Sequence, residues 1–181
     1  MTDTKNKLGE IEQKFVLHWG EMGTRWGINR TVAQIHALLF ISKKPLPADE
    51  IAATLGIARS NVSNSIRELQ NWGIIRVVHI MGDRRDHFES MKDVFEMFRV
   101  ISRERKKREI DPTIAMLRDC IAETKKNGAD SHFRERLGDL LQFFELSETA
   151  YNQLETLPTS AVVKLARLGD KGLRLLGINR K

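Results

Sequence analysis

From Leu46 to Met91 the chain reads LPADEIAATLGIARSNVSNSIRELQNWGIIRVVHIMGDRRDHFESM, and this stretch decides the fold. Asp49 and Glu50 stand where a helix N-terminus favours negative charge. Pro47 stands at the start of that helix, where a proline is tolerated. The spacing predicts a short helix over about Ala48–Leu55, ended by Gly56, which supplies a sharp turn. A second helix is predicted over about Arg59–Trp72, stopping at Gly73. Ile51, Ala52 and Leu55 point inward from the first helix, and Val62, Ile66 and Leu69 from the second. Ala52 is small enough to let the two helices approach, and Ile57 plugs the space between them. Ile74–Ile80 is β-branched and apolar, as in a strand. Met81–Asp86 is a charged turn, and His87–Met91 returns as a second, shorter strand. The order is helix, turn, helix, strand, basic turn, strand.

The face of the second helix opposite its apolar stripe carries Arg59, Ser60, Asn61, Ser63, Asn64 and Arg67. These side chains are mostly short and polar, with hydrogen-bonding groups that match base edges and phosphates. A helix with this face fits the major groove of double-stranded DNA, its N-terminal half deepest. Asn61 and Asn64 suit adenine edges, and Arg67 suits a guanine or a phosphate. The hairpin tip, Gly82-Asp83-Arg84-Arg85, suits a wing in the minor groove, whose negative potential favours an inserted guanidinium. Asp83 is placed to hold Arg85 in a bidentate pair. A solvated helix face and a solvated charged turn are the plainer readings of the same residues. The succession of elements favours DNA.

Outward from this stretch the pattern is helical. Met1–Lys7 reads as an arm. Leu8, Ile11, Phe15, Trp19, Met22 and Trp26 follow steps of three and four, on one face of a long helix closed by Gly27. A helix over Arg30–Ser42 buries Val32, Ile35, Leu38 and Leu39. Lys43-Lys44-Pro45-Leu46-Pro47 breaks it. Beyond Met91, Val94, Phe98 and Ile101 share a face, and Arg103–Glu109 is a charged helix end. Asp111-Pro112 reads as a restart, an N-cap followed by proline. Ile114, Leu117 and Ile121 line the next helix up to Asn127-Gly128. Ser131 caps a long helix with Phe133, Leu137, Leu140, Phe144, Tyr151 and Leu154 inward, ended by Pro158. A last helix over Ser160–Leu168 precedes a basic tail. The expected architecture is mainly α with a small β-hairpin wing: an N-terminal arm and dimerisation helix (1–28), a winged helix-turn-helix (29–91) and a C-terminal helical dimerisation or regulatory region (92–181).

The whole-chain properties agree. The 181 residues carry a formal charge of +6, which suits a polyanionic partner. The single cysteine excludes an intramolecular disulfide and fits a reducing cytoplasm. The N-terminus lacks the apolar core of a signal peptide, and no apolar run approaches the ~20 residues of a membrane span. A cytoplasmic location with no membrane partner is expected.

Other chemistry is thin. Trp19, Trp26, Phe40 and Trp72 offer aromatic faces to a small-molecule effector such as a quaternary ammonium, although aromatic stripes at helical spacing more often serve as core and dimer packing. His18, His36, His79, His87 and His132 form no cluster with metal-site spacing. His79 and His87 approach across the hairpin, but two ligands are too few. Cys120 lies among apolar helical residues, as inert packing does. Phosphate-binding glycine loops, nucleophile elbows and zincin motifs are missing. The expectation is a protein without cofactor that is not an enzyme. The second reading is a winged-helix protein-interaction module without specific DNA binding, which would want an apolar recognition face and no basic wing.

Pro47-Ala48-Asp49-Glu50-Ile51-Ala52, Gly56-Ile57, Ser60-Asn61-Val62-Ser63, Trp72-Gly73-Ile74-Ile75 and Asp83-Arg84-Arg85 together resemble the MarR class of regulators. The long first helix, with Trp19-Gly20 and Trp26-Gly27, and the helical C-terminal half resemble its GbsR branch. The resemblance runs from about Phe15 to Met91 and is looser afterwards. It implies a homodimer on a palindromic operator, usually repressing its target. It assigns recognition to Ser60, Asn61, Ser63, Asn64 and Arg67, and the wing to Asp83, Arg84 and Arg85. Pro47 departs from the usual Ser or Thr cap, and the C-terminal part is longer than in plain members.

Overall fold

The computed structural model describes residues 8–127 and 131–164. The arm Met1–Lys7 and the tail beyond Lys164 lie outside the described residues. So does the end of the expected last helix, which is helical over 159–164. The chain divides after Ile101 into two compact units.

In the first unit, helix α1 (Glu10–Arg25) packs on α2 (Arg30–Ile41). The buried face of α1 is Val16, Gly20 and Gly23, not the aromatic stripe expected from its periodicity. A Cβ on Gly23 would lie 2.5 Å from Ala33 Cβ, and one on Gly20 would lie 2.6 Å from Gln34 Cγ. The helices touch along a line of absent side chains, and the stripe is only partly covered: Leu8, Phe15, Trp19 and Met22 are half-buried, whereas Ile11 is 85% exposed and Trp26 45%. Asn29 caps α2 by accepting from the Thr31 N–H at 2.8 Å. Val32, Ile35, Leu38 and Leu39 are buried as their spacing predicts.

After α2 the chain forms a two-residue strand β1 (Leu46–Pro47), then α3 (Ala48–Leu55), α4 (Arg59–Asn71), β2 (Ile75–Ile80) and β3 (Asp83–Ser90). The sheet order is β1-β3-β2, all antiparallel. Leu46 pairs with Phe88, and Pro47 with His87. Pro47 is therefore an extended residue before α3, at φ −77° and ψ 157°, and not its first helical residue. β1 at a sheet edge uses no amide from Pro47. Gly56 takes φ +64° between α3 and α4, a left-handed conformation that costs a side-chain-bearing residue energy. Ile35, Ile51, Val62, Leu69 and Ile74 are at most 1% exposed and form the centre of the core.

Helix α5 (Val94–Arg105) turns Met97 into this core, with Val100 and Ile101 packed against it. Val94 and Phe98, expected inward with Ile101, face outward, and Phe98 is 68% exposed. The helix does not stop at the charged run. It continues through a π-helical turn (Lys106–Ile110) into α6 (Asp111–Asn127). Asp111 is helical, and its N–H donates to the Lys106 carbonyl five residues back, so Asp111-Pro112 is no restart. The ring of a helical proline collides with the carbonyl four residues earlier, here that of Arg108. The wider π turn gives that carbonyl room.

The second unit packs α6 on α7 (Ser131–Thr156). Ile114 and Leu117 are buried. Lys106 Nζ donates to Asp111 Oδ1 at 2.6 Å and to Glu148 Oε1 at 2.7 Å. These bonds, that to Asp111 foremost, hold the ammonium pKa above its usual value. On α7 the expected inward set splits. Leu137, Phe144 and Tyr151 are half-buried, whereas Phe133, Leu140 and Leu154 are exposed, as are Phe143 and Leu146. Among the described residues no helix is long and apolar enough to cross a membrane.

Candidate nucleic-acid interface

Helix α4 separates two faces cleanly. Val62, Ser65, Ile66 and Leu69 are buried. Arg59, Ser60, Asn61, Ser63, Asn64 and Arg67 are all exposed. The core therefore fixes the rotation of α4 and presents its six polar and basic side chains together. Ala58, at the N-cap, has no side chain to accept from the first turn.

The hairpin differs from expectation in its tip. The turn is only Met81-Gly82, with Gly82 at φ +85°, and Ile80 pairs with Asp83. A two-residue turn with glycine at a positive φ is the tight way to reverse a chain. Asp83, Arg84 and Arg85 accordingly begin β3, which is longer than β2 and not shorter.

Strand alternation then parts the two arginines. Arg84 is exposed. Arg85 is fixed by carboxylates on two elements. Its Nε and Nη2 donate to Asp83 Oδ1 and Oδ2 at 3.0 and 2.7 Å, the bidentate pair that the sequence suggests. Its Nη1 donates to Asp49 Oδ2 in the first turn of α3 at 2.8 Å. The Arg85 backbone N–H also donates to Asp83 Oδ1. The Arg85 guanidinium holds the Asp83 carboxyl well below the usual carboxylate range, and Asp83, then Asp49, raises the pKa of Arg85 in return. His87 is buried beneath, its Nδ1 donating to the Arg85 carbonyl at 2.9 Å and its Nε2 lying 3.4 Å from Asp83 Oδ2. His79 points the other way, 3.7 Å from Asp86, so the two hairpin histidines do not meet. The described residues contain no group of three metal-ligating side chains.

Asp49 is the member of this cluster that sequence reasoning missed. As a first-turn acid it has a sufficient local explanation, and nothing in the sequence ties it to a residue 36 positions away.

The four aromatics expected around an effector are only partly assembled. Trp19 and Trp26 meet edge to face at 6.1 Å, and Phe15 stacks on Trp19 at 5.6 Å. Phe40 lies against His36, with ring centroids 6.4 Å apart. Trp72 closes the C-terminus of α4 and packs against the core. Cys120 is half-buried, its Sγ 3.6 Å from Met116 Sδ.

Comparison with known proteins matches this part of the chain. Residues 26–86 match the sequence model described as MarR family. The chain is 24% identical over 89 residues to a putative HTH-type transcriptional regulator of Bacillus subtilis, YvaV, covering 49% of this chain and 50% of YvaV, so the match spans half the length of that relative. It is 21% identical over 139 residues to the HTH-type transcriptional repressor GbsR of Bacillus subtilis, covering 75% of this chain and 77% of GbsR. The fold is similar to a crystal structure of a transcriptional regulator, with a TM-score of 0.60, 20% identity, and coverage of 80% of this chain and 95% of that one. Residues 26–86 of this chain thus fold as a winged helix-turn-helix and are similar in sequence to the MarR family.

Proposed function

We propose that this chain is a sequence-specific DNA-binding transcriptional regulator that acts as a homodimer on a palindromic operator. The observation that carries the reading is the exposed set Arg59, Ser60, Asn61, Ser63, Asn64 and Arg67 on one rigidly seated helix. Those side chains enter a major groove, with Arg84 on the adjoining wing beside the backbone or minor groove. The second copy is supported by apolar surface that a single chain leaves in water: Ile11 and Leu17 on α1 with Trp26 at its C-terminal end, and Leu140, Phe143 and Leu146 on α7. Exposed apolar side chains in such numbers mark protein interfaces. A two-fold dimer sets its recognition helices about 34 Å apart, one turn of DNA. A repressing role is supported by the name of GbsR. Release by a small molecule is supported by the Trp19–Trp26 pair, whose faces suit a quaternary ammonium. The test is binding of the full chain to a duplex of its own upstream region and to a scrambled duplex, across a salt series. Selective binding with a steep salt slope is expected, the slope counting phosphate contacts. Equal, weak binding to both duplexes would overturn the proposal.

A further inference from the structure

Met81 stands at the apex of the wing with its side chain fully exposed, and Ile80 beside it is 41% exposed. The turn around them is tight, closed by the Ile80–Asp83 pair. Two-residue hairpin turns are ordinarily made of Asn, Asp and Gly, which suit both the backbone and the water around it. Gly82 meets that rule, and Met81 breaks it with a long apolar side chain that the domain does not cover.

The apex is also held in place. Arg85, four residues on, is bonded to Asp83 within the hairpin and to Asp49 in the first turn of α3. At ~3.4 Å per strand residue the two steps from Arg85 to Asp83 carry the turn about 7 Å past this anchor. The hairpin therefore carries a stiff apolar point at the edge of the helix-turn-helix. Arg84 stands on the strand face opposite Arg85, whose guanidinium is engaged by Asp83 and Asp49, with Glu50 Oε1 3.8 Å away.

Apolar side chains, methionine among them, enter minor grooves as wedges against the base steps. The groove floor decides where they fit. A·T pairs present only acceptors there, whereas a G·C pair adds the guanine N2 amino group, which fills the floor and loses its water against a thioether. We infer that Met81 is the wing's minor-groove contact and selects A·T pairs there, that Arg84 accompanies it along the backbone, and that Arg85 is a positioning residue. This rests on the DNA-binding reading above.

The test uses the full chain and the duplex it enriches from a random pool. At the A·T pairs protected in the minor groove, each pair is changed to G·C and to inosine·C, which lacks the N2 amino group. The wild type is expected to lose about tenfold in affinity on G·C and to regain it on inosine·C. Met81→Ser is expected to bind all three duplexes alike, and Met81→Leu to keep the wild-type pattern. A Met81→Ser protein with unchanged affinity and an unchanged inosine response would overturn this inference while leaving the DNA-binding reading intact. A wild-type chain that enriches no sequence would remove both.

Discussion

Asp49 Oδ2 accepts a hydrogen bond from Arg85 Nη1 at 2.8 Å, tying the first turn of α3 to the third residue of β3. The pair is about half exposed on both sides, so it is worth less than ~1 kcal/mol in stability. Its effect is on placement. Asp49→Asn is expected to leave the thermal midpoint nearly unchanged while speeding amide exchange across residues 83–87. A melt lowered by more than a few degrees would show that the pair carries the fold itself.

His36 is 4% exposed in α2, with Ser90 Oγ 3.2 Å from its Nε2, and burial holds its pKa at about 4 against the ordinary 6.5. Its neutral form belongs to the folded state. Stability is then complete above pH 6.5, falls as the unfolded chain takes up a proton below that value, and levels off below about pH 4. The expected loss across that window is on the order of 3 kcal/mol. His36→Gln should flatten the stability profile between those limits, as urea unfolding at stepped pH would reveal. An unchanged slope would assign the pH dependence to the carboxylates.

Gly23→Ala reverses the ordinary effect of its substitution. In an exposed helix it gains about 1 kcal/mol. Here the new methyl would stand 2.5 Å from Ala33 Cβ, and overpacking of that kind costs ~1–3 kcal/mol. A net loss of up to about 2 kcal/mol in chemical denaturation is expected. A gain would mean that α1 slides freely on α2.

Asn64→Ala removes a side chain that the fold does not use, since Asn64 is exposed on α4. The melting temperature should hold. Affinity for the selected duplex should fall by ~1–3 kcal/mol, with preference relaxed at one base pair. Equal affinity and equal preference would dismiss the α4 face as the reader.

What the sequence made legible follows from how each contact is built. Val62, Ile66 and Leu69 recur at helical spacing and Ile51 opens the same core, so both central helices and the polar face of α4 were readable. The Asp83–Arg85 pair was readable because its partners are two residues apart. The α1 face was not. Hydrophobic periodicity assigns large residues to the inside, whereas Gly20 and Gly23 win the contact by having no side chain. β1 escaped because two residues, one of them a proline, carry no alternation, and their partners, Phe88 and His87, lie far along the chain. The outward turn of Phe133, Leu140 and Leu154 escaped for a related reason: an apolar stripe shows what must be covered, not by which chain.

The π turn at Lys106–Ile110 has a consequence for comparing relatives. It holds one surplus residue within an otherwise continuous helix, and each α-helical residue advances the chain by about 100°. A helical wheel drawn straight through it mislabels the outer and inner sides of everything downstream by that angle. A relative one residue shorter at this point, and lacking the proline, would keep the faces of α6 in phase by running as plain α-helix. An alignment gap inside a helix, normally a sign of error, is here the expected signature of common ancestry.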